Sequence, residues 1–113
     1  MQRVVESRLK HVDEEFGNRV SKTLEQALGV TVMNLVFTVL KKDFRIARNE
    51  IAGNPKALKQ VLERFFGPSS YAFLEKLISR EIITEFELPE ELKLENSSLE
   101  HVLNKAREKA CLE

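Results

Sequence analysis

The sequence predicts an all-α fold, a small helical bundle of four to five helices led by a long N-terminal helix. Three observations predict it. Apolar residues recur every three or four positions from Val5 to Ala27, the spacing of one helical face. Asn54-Pro55 and Gly67-Pro68 punctuate the middle of the chain as helix boundaries. The 113 residues are 42% hydrophobic and 32% charged, a balance that suits one globular domain and argues against disorder.

The first helix is expected from Gln2 to about Ala27, where Val5, Leu9, Val12, Phe16, Val20, Leu24 and Ala27 form one narrow stripe. A small domain leaves part of so long a seam uncovered, so Val5, Leu9, Val12, Phe16 and Val20 are the expected homodimer interface. Glu6 with Lys10 and Glu15 with Arg19 place an acid four residues ahead of a base, which supports an exposed helix face. Gly17 weakens the helix and marks a candidate bend.

The run from Gly29 to Lys42 contains strand-forming valines. Met33, Val36, Phe37, Leu40 and Phe44 nonetheless share a helical face, and Thr31 can cap it. Its near-continuous apolar surface predicts a central helix. Asp43 to Gly53 reads as a connection with a short turn ending at Ile51. Asn54 then caps a helix with Pro55 at its first position, and Leu58, Val61, Leu62, Phe65 and Phe66 form its stripe. Ser69 or Ser70 caps the next helix, which runs from Tyr71 to about Phe86 with apolar residues on two sides. Leu62, Phe65 and Leu77 are expected in the core. Leu88 to Asn96 reads as a polar connector. Ser97 and Glu100 form a capping-box pattern ahead of a last helix with Leu99, Val102, Leu103, Ala106 and Ala110 on its apolar face.

The punctuation Leu28-Gly29, Ile51, Asn54-Pro55 and Phe66-Gly67, with apolar helices over Val32 to Lys42 and Phe73 to Ile83, resembles the small archaeal output-domain family named after Nitrosopumilus signalling proteins (NitrOD type). The resemblance covers about Leu24 to Phe86. It departs from the family pattern between Asp43 and Arg48, where Phe44-Arg45-Ile46 stands in place of a glycine-containing turn. Outside the match, residues 1–26 read as an oligomerisation helix and residues 87–113 as a connector and amphipathic helix; the resemblance itself implies a helical output domain over residues 27–86. It also implies an archaeal downstream or interaction element, and it brings no catalytic chemistry.

The residues themselves point the same way. Lys and Arg together equal Asp and Glu, 18 against 18, so no global field draws in nucleic acid or an acidic membrane. Locally, residues 29–66 carry seven basic and three acidic side chains, and residues 67–113 carry six and ten. These halves are expected to be solvated faces or to attract each other, and Lys41, Lys42, Arg45 and Arg48 form the alternative nucleic-acid surface of a transcriptional regulator. The helix from Tyr71 is a poor reading helix, because Glu75 and Glu81 offset Lys76 and Arg80 and most of the rest is Phe, Leu and Ile. His11 and His101 have no ligand set around them for a metal. Cys111, the single cysteine, excludes an internal disulfide and suits a reducing, cytoplasmic setting. The four glycines are scattered and make no phosphate loop. The longest apolar run, Val30 to Leu40, is too short to span a bilayer. The expectation is a non-catalytic oligomerisation and protein-interaction module, without enzyme activity, cofactor, metal or membrane attachment, that forms a homodimer and binds an unidentified protein partner.

Overall fold

The computed structural model describes residues 2–94 and 97–112, with side chains for residues 14–93 and 97–112. The described residues form six α-helices and one 3₁₀ helix, with no strand. They run α1 Gln2–Leu28, α2 Val30–Phe44, the 3₁₀ helix Arg48–Gly53, α3 Pro55–Phe66, α4 Pro68–Glu85, α5 Glu91–Leu94 and α6 Leu99–Leu112. The all-α class holds, while the expected four to five helices rise to seven because both connectors contain a short helical piece. In the second connector Leu88 and Leu92 are buried at 7% and 8% exposure, which pins a segment that reads as polar in sequence.

Two helix pairs are joined by one glycine each. Gly29 (φ 93°) and Gly67 (φ 84°) adopt extended backbone with positive φ, a region that glycine alone enters cheaply. Gly29 donates its N–H to the Glu25 carbonyl at 2.8 Å and accepts from the Met33 N–H at 3.1 Å, closing α1 and opening α2 with the same residue. Gly67 does the same between Glu63 and Tyr71, at 2.7 and 3.0 Å. Thr31, Ser69 and Ser70 therefore do not cap, since the glycines occupy the cap positions and Pro68 begins α4. Asn54 precedes α3 as expected but makes no side-chain cap; its amide Nδ2 donates to the Glu50 carbonyl at 2.8 Å. The cap of α6 lies one residue later than expected, with the His101 N–H donating to Ser98 Oγ at 3.2 Å. Glu75 on α4 supplies a second one, accepting from the Leu99 N–H at 3.3 Å.

Gly17 is a crossing point. A Cβ there would collide with the Asn49 carbonyl oxygen, so only glycine lets the 3₁₀ backbone rest on α1. Ser21, one turn on, donates to the Arg48 carbonyl at 2.7 Å. Glu25, a further turn on, pairs with the Arg48 guanidinium, which also lies 4.8 Å over the Phe37 ring. Ile51 enters the core from this segment at 0% exposure. Residues 17, 21 and 25 thus form a track of small and polar side chains that receives the connector.

The centre of the bundle is α4, which packs on α1, α3, α5 and α6. Ile78, Ile82 and Ile83 are at most 1% exposed. The expected central role of α2 is not observed: it packs chiefly on α1 and α3. Its buried residues are Met33, Val36 and Leu40, whereas Thr31, Asn34, Thr38 and Lys41 make a polar outer face that leaves Leu35 58% exposed. At the far end of α4, Phe86 meets Phe16 edge to face at 5.3 Å, and the Arg19 guanidinium covers its ring at 4.1 Å.

Candidate interaction surface

The apolar stripe of α3 ends sooner than its sequence implies. Leu58, Val61 and Leu62 are buried, but Phe65 is 45% and Phe66 39% exposed, which corrects the expected burial of Phe65. Adjacent helical residues point about 100° apart, so one narrow core face cannot hold both. The chain passes through Gly67 into α4, and the described residues cover this last turn only in part. Leu77, also expected in the core, is half-buried. On α4, Tyr71, Ile78 and Ile82 share the buried face, and Phe73 lies on roughly the opposite side of the helix with 69% exposure. Three of the seven phenylalanines are therefore exposed within about two helical turns of Gly67. Scattered exposed apolar residues are ordinary, while a group of aromatic ones marks an interaction site.

The expected N-terminal interface divides in two. Phe16 and Val20 are 5% and 1% exposed within the single chain, because Phe86 and neighbouring core residues cover them, so they offer no surface to a second copy. The side chains of Val5, Leu9 and Val12 lie outside the described residues.

The basic set also divides. Lys41, Lys42 and Arg45 are exposed at the end of α2 and join no ion pair among the described residues. Arg48 is occupied by Glu25 and Phe37. Arg45 has φ 55° and ψ 37°, the left-handed conformation of a helix C-terminus, and the following Ile46 N–H donates to the Leu40 carbonyl at 3.1 Å. This is the turn where the output-domain pattern has glycine. Among the described residues no ion pair joins residues 29–66 to residues 67–113: Arg64 pairs with Asp43 at 3.1 Å and Lys59 with Glu63 at 3.8 Å, both inside the basic segment. Lys59 also lies 5.7 Å over the Tyr71 ring.

The candidate nucleophile and base are far apart. His101 and Cys111 are both exposed and ten residues apart on α6, or about 15 Å along its axis. The side chain of His11 lies outside the described residues. The described residues contain no group of three or more His, Cys, Asp or Glu that could hold a metal, and none of their helices is long and apolar enough to cross a membrane. The one perturbed phenol has a structural role. Tyr71 is held well above its ordinary pKa by burial and then by Glu75, which accepts its hydroxyl at 3.2 Å while capping α6.

No family model, curated protein or solved structure matches the chain.

Proposed function

We propose that this chain is a non-catalytic oligomerisation and protein-interaction module, with the archaeal signalling or regulatory role that its resemblance to the output-domain family implies and the cytoplasmic setting that its single cysteine suits. The observation that carries this reading is the exposure of Phe65, Phe66 and Phe73 around the Gly67 joint. Burying an aromatic side chain stabilises an interface by about 1.5–3 kcal/mol, so the three together can anchor an apolar element of a protein partner. Self-association is assigned to the N-terminal stripe. Phe16, Val20 and Leu24 occupy its buried part, and Val5, Leu9 and Val12 continue it in sequence, on a helix that runs on to Gln2. Full-chain Leu9→Asp tests this in light scattering, where loss of the dimer supports the assignment and an unchanged dimer removes it.

A nucleic-acid-associated regulator is the second reading, supported by the three exposed cations Lys41, Lys42 and Arg45. A gel-shift titration at low and moderate salt discriminates the two. Micromolar, salt-sensitive binding that disappears on changing these three residues to Gln would replace the interaction reading. Arg48 is left intact in that variant because it is tied to the α1 crossing.

A further inference from the structure

Residues 41–80 carry nine basic and four acidic side chains, and the packing leaves that excess at the surface. Each of the four carboxylates is engaged. Asp43 pairs with Arg64 and Glu63 with Lys59, Glu50 accepts from the Ala47 N–H at 3.0 Å, and Glu75 holds the Tyr71 hydroxyl and the start of α6. Lys41, Lys42, Arg45, Lys76 and Arg80 are all exposed, and none joins an ion pair among the described residues.

These cations flank the exposed phenylalanines. The Arg64–Asp43 pair sets the last turn of α2 against the last turn of α3, so Lys41, Lys42 and Arg45 lie beside the turn that carries Phe65 and Phe66. On α4, Phe73, Lys76 and Arg80 follow at i, i+3 and i+7 and share one exposed helix face. Leu35, also exposed, stands two turns ahead of Lys42 on the same face of α2. Each part of the aromatic surface therefore has cations next to it and no carboxylate left over.

We propose that the partner of this surface is an acidic amphipathic α-helix, a proposal that rests on the interaction-module reading and names the chemistry of its partner. The apolar face of that helix lies on Phe65, Phe66 and Phe73, and its carboxylates meet Lys41, Lys42 and Arg45 from the end of α2 and Lys76 and Arg80 from α4. Phenylalanine rings offer no hydrogen-bonding group, so they anchor apolar side chains. The described residues form no strand, so they have no sheet edge for an extended peptide to join, and a helix laid on apolar anchors is the mode left to them. Range decides against an extended polyanion. The chain as a whole is neutral, 18 basic against 18 acidic, so a lipid surface or a nucleic acid also meets the acidic half. One helix is about 10–12 Å wide, comparable to the screening length of about 8–10 Å, and meets the local cations alone.

Fluorescence anisotropy of three labelled synthetic helices, titrated with the full chain, tests this. The first has leucines on one face and glutamates on the other, the second replaces the glutamates by lysines, and the third replaces the leucines by glutamines. The first is expected to bind saturably and at least tenfold more tightly than either of the others. Phe66→Ser with Phe73→Ser should weaken it at least tenfold, as should changing Lys41, Lys42 and Arg45 together to Gln, while helical circular dichroism stays native. Lys22→Gln on the exposed side of α1 should leave it within twofold. Equal binding of the glutamate and lysine helices would overturn the acidic partner and leave the apolar surface standing, whereas no binding of either would overturn both. Binding to phosphatidylcholine vesicles with one quarter phosphatidylglycerol, or to single-stranded nucleic acid, more tightly than to the glutamate helix and lost in the same variants would also overturn the proposal.

Discussion

The crossing at Gly17 and the joint at Gly67 both depend on a glycine, for different physical reasons. At Gly17 the missing side chain makes room: the Asn49 carbonyl occupies the place of a Cβ, and the 3₁₀ segment is sealed against α1 by Ser21, Arg48 and Ile51. At Gly67 a Cβ would meet nothing within 4 Å, and the glycine is needed for its backbone angles alone. The first site closes surface, while around the second Phe65, Phe66 and Phe73 keep part of their rings exposed. Stability is therefore concentrated at the crossing, and surface available for binding at the joint.

The largest effect expected from this contrast is at the crossing. Ile51→Ala should lower the unfolding free energy by about 2–5 kcal/mol in urea denaturation, because Ile51 is fully buried. A midpoint close to native would mean that the 3₁₀ segment is only loosely attached. Gly17→Ala should cost about 1–3 kcal/mol by overpacking, even though alanine is the better helix former by about 1 kcal/mol. A more stable Gly17→Ala protein would contradict the close approach of Asn49.

Smaller effects sharpen the comparison. Arg45→Gly relieves a left-handed, non-glycine backbone and should raise stability by about 0.4–1 kcal/mol, visible as a higher thermal midpoint. Phe73→Ser should change stability by no more than about 0.5 kcal/mol yet reduce the fluorescence of a bound hydrophobic dye. If Phe73→Ser instead unfolds the chain, the joint belongs to the core and the contrast fails.

Helices were legible wherever an element's own residues determine it. The stripe of α6, the Pro55 start and the glycine ends of α1 and α3 follow from local periodicity and backbone preference. Long-range packing was not legible. Gly17 reads as a weak helical position because its partner carbonyl is more than thirty residues away in sequence. The near-continuous apolar surface of α2 suggests a central helix, but its outer face is set by Thr31, Asn34 and Thr38. Phe65 fits the core period and is exposed all the same, since periodicity assigns a face without saying where along the helix its cover stops. The Phe65-Phe66 pair beside Gly67 was the one available signal of the surface.

The most direct test of the interaction-module account is the solution mass of the full chain by light scattering coupled to size exclusion. The account predicts a native mass near twice the 13.0 kDa of one chain. Leu9→Asp should then elute at the mass of one chain with an unchanged urea midpoint. A native protein that stays at the mass of one chain across the concentration range, or a Leu9→Asp protein that remains a dimer, would contradict the account.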